Sequence, residues 1–295
     1  MLESQPVGTW RSLVAHLLGV QGVGGSNPLV PTIFFRDLVL LEILLTNDDG
    51  VQSPGLLALA DALSAVGRIT IVAPDRERSA SSASLTLHLP LRYEEVGPGR
   101  FSVDGTPSDC VMIGLHQILP ALPVLVISGI NKGANLGHDI AYSGTVSAAL
   151  EGANQGIPAF AISLADRGEF RFEEAAQFAV TLAEKLIKDP LPSGIILNVN
   201  VPGQIIRGVR ITHQARRNVR NIFVENRDPR GRKYFWLDEE METEAHQGSE
   251  DSDYMAVNAG YISITPLKID RTDYSFARKI GGWSELLFQQ RITSN

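Results

Sequence analysis

The chain has 295 residues, enough for one large domain or two modest ones, with 44% hydrophobic and 20% charged residues, an ordinary globular balance. A net charge of −7 argues against a general nucleic-acid or anionic-membrane surface, so an anionic substrate must be held locally, by a metal, backbone amides or a few side chains. No apolar run reaches the length of a membrane span, and Cys110 stands alone, which permits no intrachain disulfide and suits a cytoplasmic protein.

Residues 1–40 are set apart as a non-native or disordered extension. Residues 12–23 resemble a signal-peptide core, but Gly19, Gln21 and Gly22 interrupt it, His16 lies within it, and no small-x-small cleavage site follows. One set of codons for Gly24-Gly25-Ser26-Asn27-Pro28, GGN-GGT-TCG-AAT-CCC, contains the T-arm consensus of a transfer-RNA gene. The run Val14–Phe35 as a whole resembles the conceptual translation of such a gene. The expectation is that the natural protein starts near Leu41, on an alternative start codon.

From residue 41 strands and helices alternate. Residues 41–47 predict a buried strand that stops at Asn47-Asp48-Asp49-Gly50. The C-terminal end of such a strand is where open α/β sheets place ligands; taken alone, the same four residues also make a polar turn. Ser53 caps a helix with Pro54 in its first position and Leu56, Leu57, Leu59, Ala60 and Leu63 on its apolar face. Residues 68–73 predict a second strand, followed by a polar loop over 74–84. Residues 85–95 and 101–104 read as antiparallel strands joined through Gly97-Pro98-Gly99. Thr106 to Asp109 has the form of a capping box. Then follow a strand at 123–128, a glycine-rich loop at 129–144, a small-residue helix at 145–155, a strand at 159–164, a helix at 172–188 and a strand at 194–201. This order predicts a mostly parallel sheet covered on both faces by helices over residues 41–204.

Beyond Pro202 the pattern changes. Residues 205–265 hold short strand-like runs and an acidic segment, Asp238–Asp253, and read as an antiparallel extension; residues 283–291 predict a last short helix. No internal repeat is apparent. Tyr234, Phe235, Trp236, Tyr261, Trp283, Leu286, Leu287 and Phe288 are more large apolar side chains than residues 205–295 can hide by themselves. Such a surface marks an interface, so at least a dimer is expected, with the final helix on a partner subunit.

The polar residues fall into three loops. Asp48 and Asp49 follow the first strand, Asp75, Arg76, Arg78 and Ser79 the second, and Asn131 and Asn135 the strand at 123–128. In a parallel sheet these loops share the carboxyl edge. Adjacent carboxylates repel unless a cation sits between them. Two carboxylates, a hydroxyl and an amide oxygen form a hard donor set that suits Mg²⁺ or Mn²⁺ better than zinc. Ser143-Gly144-Thr145 opens a helix, whose free N–H groups suit phosphate; ordinary capping is the plainer alternative. No G-x-G-x-x-G, Walker lysine or G-x-S-x-G pattern competes. Arg76 and Arg78 either clamp a phosphate or pair with Asp75 or Glu77. His138 lies in a candidate loop and reads as solvated, and Cys110 reads as a buried small hydrophobe.

Six ordered motifs then resemble the stationary-phase survival (SurE) family of metal-dependent 5′/3′-nucleotidases: Leu44-Leu-Thr-Asn-Asp-Asp-Gly-Val51, Ser53-Pro-Gly-Leu56, Val72-Ala-Pro-Asp-Arg-Glu-Arg-Ser79, Gly105-Thr-Pro-Ser-Asp-Cys110, Ser128-Gly-Ile-Asn-Lys-Gly-Ala-Asn135 and Tyr142-Ser-Gly-Thr-Val146. The likeness continues through Arg227-Asp-Pro-Arg-Gly231 and Gly260-Tyr-Ile-Ser-Ile-Thr-Pro266. It implies a Rossmann-like three-layer α/β/α domain, with a C-terminal portion exchanged between subunits of a homodimer or homotetramer. It implies that Asp48, Asp49, Ser79 and Asn131 hold one divalent metal per subunit. The expected activity is hydrolysis of nucleoside 5′-monophosphates, with 3′-monophosphates and short polyphosphate as further candidates. Asp48 and Asp49 serve as the catalytic pair, and Asn135, Ser143, Gly144 and Thr145 hold the phosphate. No nucleic-acid duplex or membrane partner is expected. A phosphatase using Asp48 as covalent nucleophile and a nucleotide-binding regulator without turnover are the rivals.

Overall fold

The computed structural model describes residues 41–295, apart from 167, 169, 216–218, 242–248, 286 and 289–295. In chain order its elements are β1 (Glu42–Thr46), α1 (Pro54–Leu63), β2 (Arg68–Pro74), β3 (Tyr93–Gly97), β4 (Arg100–Val103), α2 (Pro107–Ile113), β5 (Leu125–Lys132), α3 (Gly144–Asn154), β6 (Ala159–Ala165), α4 (Glu173–Lys188) and β7 (Ile195–Pro202). Then come β8 (Gly208–Ile211), β9 (Val219–Arg227), β10 (Lys233–Met241), α5 (Asp253–Asn258), β11 (Tyr261–Lys268) and α6 (Tyr274–Lys279).

Nine strands form one sheet in the order β3-β4-β2-β1-β5-β6-β7-β11-β8. From β4 to β7 every neighbouring pair is parallel. Side chains of β1 alternate between the two faces: Ile43 and Leu45 join one apolar cluster and Leu44 the other, the period of two that a doubly covered strand requires. Leu56, Leu59 and Leu63 of α1 and Ala175, Ala179, Leu182 and Leu186 of α4 close the first cluster. Cys110 and Val111 of α2 and Val146 and Ala149 of α3 close the second. The result is the expected three-layer α/β/α fold. Small residues on α3 bring it close to the sheet: a β-carbon on Gly152 would lie 2.8 Å from Val126 Cβ.

Several elements differ from the expectations. Residues 85–92 are not strand. Thr86 gives its N–H and hydroxyl to the Asp109 carboxylate, at 3.0 and 2.6 Å, in place of a ladder partner, and Pro90 could not donate to one. Strand β5 runs on to Lys132, so the glycine-rich loop starts four residues later than expected. Its register against β6 shifts between Ser128 and Asn131, and a β-carbon on Gly129 would meet Ile162 O at 2.2 Å. In the C-terminal part, β11 is antiparallel to β7 as expected, but β8 runs parallel to β11. The antiparallel extension is the separate hairpin β9–β10. Helices α5 and α6 were not expected; each is only six residues long, too short for a periodic apolar stripe. The expected extension at residues 1–40 lies outside the described residues, as do Leu286 and residues 289–291 of the last predicted helix; Trp283–Glu285, Leu287 and Phe288 are helical. No described helix is long and apolar enough to cross a membrane.

Candidate active site

The carboxyl edge of the parallel strands gathers the three polar loops. The first is shaped by Asn47, one of the four residues that also read as a polar turn. Its Nδ2 donates to Gly50 O at 3.2 Å and to Ser53 Oγ at 2.6 Å, and its Oδ1 accepts from Gly50 N at 3.2 Å. Gly50 takes φ +102° with Arg76 backbone close by, so a side chain is strained there. Asn47 and Gly50 thus make the turn, and Asp48 and Asp49 are what it presents. Arg78 N donates to Asp48 O at 2.7 Å, which fastens the second loop onto the first.

Asp48 is buried and points at the start of α3. Its Oδ1 accepts a short hydrogen bond from Thr145 Oγ1, and its carboxylate also draws on the Thr145 N–H. A β-carbon on Gly144 would come within 2.8 Å of Asp48 Cβ and 3.0 Å of Asp48 Oδ2, so only glycine fits this corner. Ser143 caps the helix through Val146 N at 3.1 Å. The expected capping is therefore present, and the helix start lies against the Asp48 carboxylate, a contact the sequence did not suggest. Gly144 N–H has no protein acceptor among the described residues.

Asp49 is half-buried. Its Oδ2 accepts from Lys132 N at 3.1 Å, which ties it to the residue after Asn131. Asn131 donates through Nδ2 to Gly133 O at 2.9 Å, so the atom left for a cation is Oδ1. Ser79 donates to Glu77 Oε1 at 2.6 Å, so its Oγ keeps lone pairs to offer. Glu77 was not anticipated as part of this cluster, although it sits two residues from Ser79.

Electrostatics favour a cation here. Burial raises the Asp48 carboxyl above its usual range against the pull of the Thr145 hydrogen bonds. Burial first, then the charges of Asp48 and Glu77, push Asp49 up to about 6 against the Lys132 N–H bond and the weaker pull of the Lys132 charge. Two adjacent carboxyl groups whose ionised forms repel each other suit a hard divalent ion. Among the described residues no cluster of three or more His, Cys, Asp and Glu side chains forms a metal site, so a metal here would rest on two carboxylates and neutral oxygens.

Asn135 is more constrained than expected. Its N–H donates to Asn200 Oδ1 at 2.8 Å, its Nδ2 to Ser163 Oγ at 2.8 Å, and its carbonyl accepts from Asn198 and Asn200. One amide hydrogen is left for a substrate. The arginines pair locally: Arg78 Nη2 donates to Asp104 O at 2.9 Å, and both Arg76 and Arg78 face Asp75. That is the pairing alternative, not the phosphate clamp. His138 is exposed and stacks edge-on against Tyr142. Cys110 is wholly buried, and burial pushes its thiol pKa well up, which makes it inert packing.

Residues 43–221 match the family described as Survival protein SurE. A 5′-nucleotidase SurE from Syntrophotalea carbinolica is 49% identical over 250 residues, covering 82% of this chain and 97% of that protein. One from Geobacter sulfurreducens is 48% identical over 247 residues, covering 82% and 94%. The crystal structure of the SurE protein from Aquifex aeolicus superimposes with a TM-score of 0.75 at 42% identity, over 82% of this chain and 99% of that one.

Proposed function

We propose, because this chain belongs to the SurE family, that it is a cytoplasmic, metal-dependent 5′-nucleotidase, a phosphomonoesterase that converts nucleoside 5′-monophosphates to nucleoside and phosphate. The observation that carries this reading is the contact of Asp48 with the first turn of α3. It sets a carboxylate pair suited to a cation against a helix N-terminus suited to phosphate, the two halves that a phosphate monoester needs. In this reading Asp48, Asp49, Ser79 Oγ and Asn131 Oδ1 hold one Mg²⁺ or Mn²⁺. Bound there, the ion would supply positive charge to the phosphoryl group and make a water more acidic. The Gly144 N–H, with Ser143, Thr145 and Asn135 around it, holds the non-bridging oxygens. Asp49, the more open carboxylate, takes the proton of the attacking water. Positioning and charge neutralisation are what a loose phosphoryl transition state asks of a protein. Nucleoside 3′-monophosphates and short polyphosphate are proposed as further substrates. Phosphate release from AMP and GMP, measured after chelation and again after adding Mn²⁺ or Mg²⁺, tests this. Release that needs the added metal supports it; no release under either condition, or equal release under both, contradicts it.

We also propose that residues 41–204 carry the catalysis and 205–295 the assembly into a homodimer or homotetramer, with C-terminal elements exchanged between subunits. The support is the exposed apolar surface of β9 and β10, where Phe223, Phe235 and Trp236 are 70%, 55% and 64% exposed. Light scattering at micromolar concentration tests it, and a monomer would end the proposal.

A further inference from the structure

The loop between β2 and β3 passes in front of α3. Two of its residues, Ala80 and Ser82, hold left-handed backbone at φ 57° and 52°, which non-glycine residues keep only when surroundings impose it. A latch imposes it. Ser82 N donates to Tyr142 O at 3.1 Å and Ser82 Oγ to Ala141 O at 2.9 Å, the two residues just ahead of the Ser143 cap. Between the two left-handed residues Ser81 turns inward. Its hydroxyl is shielded from solvent and has no hydrogen-bond partner among the described residues. The point a β-carbon would occupy on Gly144 lies 2.9 Å from Ser81 Oγ and 3.0 Å from Asp48 Oδ2. The free hydroxyl therefore stands at the same corner as the free Gly144 N–H and the buried carboxylate.

A buried hydroxyl without a partner is costly, and a bound ligand can supply the partner. A phosphate oxygen accepts hydrogen bonds only, and this corner offers it two unused donors, Gly144 N–H and Ser81 O–H. We infer that Ser81 Oγ donates a hydrogen bond to a phosphoryl oxygen of the substrate, and of the inorganic phosphate product, at the start of α3. This rests on the phosphatase reading above and adds to it a binding residue from the second loop.

The test is the binding of inorganic phosphate to the full chain in saturating Mn²⁺, by calorimetry, for the wild type and Ser81→Ala, beside AMP kinetics. The substitution should weaken phosphate binding at least about five-fold, as expected for loss of a hydrogen bond to a charged group. KM for AMP should rise with it, while the Mn²⁺ concentration for half-saturation and Tm stay unchanged. Equal phosphate binding by the two proteins overturns the inference, as does no binding by either, or a parallel loss of Mn²⁺ affinity. Ser81-dependent phosphate binding in a protein that releases no phosphate from AMP would leave the inference standing and overturn the nucleotidase reading instead.

Discussion

Strands β1 and β10 are both rich in large apolar residues, and they meet opposite fates. In β1, Ile43, Leu44 and Leu45 are completely buried, because β2 and β5 flank the strand and helices cover both faces. In β10, Tyr234, Phe235, Trp236 and Leu237 are all exposed, because among the described residues the strand pairs with β9 alone and no helix covers it. Each such aromatic carries roughly 150–250 Å² of surface, and the hairpin leaves about half of it in water. The sheet buries its apolar residues within this chain, whereas the hairpin leaves them exposed, the basis of the proposed subunit contact.

The sharpest way to probe the first region is at its chemistry. Asp48→Asn should cut metal-dependent hydrolysis on the order of a thousand-fold with little change in Tm, since the turn itself is made by Asn47 and Gly50. Gly144→Ala should cost on the order of a hundred-fold, because the new methyl displaces Asp48. Activity within two-fold of wild type in either variant would remove the site assignment.

The contrast itself can be broken by paired substitutions. Leu44→Ala should destabilise the fold by about 2–5 kcal/mol. Trp236→Ser should change the unfolding of an isolated subunit by less than about 1 kcal/mol yet lower the assembly state or weaken association. Urea titration and light scattering on both variants decide. If Trp236→Ser leaves assembly untouched at every concentration, the hairpin is not the interface.

A smaller effect concerns the uncompensated charge. Without metal, Asp49 titrates near 6, above its usual 3.8, so the fold favours its protonated form. Its destabilising effect is therefore absent below about pH 3.8 and fully present above about pH 6. Asp49→Asn should stabilise the chelated protein at pH 7 by on the order of 1 kcal/mol, allowing for solvent screening, and by nothing near pH 4. Denaturation at the two pH values checks this; a variant less stable than wild type at pH 7 would refute it. The least effect is expected from a chain that begins at Leu41. It keeps Leu41 O, which accepts from Arg68 N at 2.8 Å, and should match the full chain in Tm and turnover; a large fall in Tm would show otherwise.

Most of the sheet was legible because buried strands write short apolar runs bounded by polar turns, as Ile43 to Asp49 does. The helix starts at Ser53, Thr106 and Ser143 were legible because capping chemistry is local. What failed depended on contacts distant in sequence. The alternating Leu85, Leu87, Leu89 and Leu91 mimic a strand, but Asp109, far along the chain, takes the Thr86 donors. The parallel pairing of β8 with β11 joins segments about fifty residues apart. At the site, the carboxylates and amides were visible as residue types at strand ends. The inward turn of Ser81 between two left-handed residues depends on its latch to Ala141 and Tyr142, about sixty residues away, and leaves no local pattern.

In the proposed reading the Asp48–Asp49 corner holds a metal, and the metal is needed for phosphoryl transfer. Mn²⁺ binding and phosphate release from AMP, measured in the same samples across a metal titration of the chelated protein, test it most directly. The account predicts one Mn²⁺ per chain, turnover that rises in proportion to occupancy, and loss of both in Asp48→Asn. Turnover by the metal-free protein, or full Mn²⁺ binding by Asp48→Asn, would contradict it.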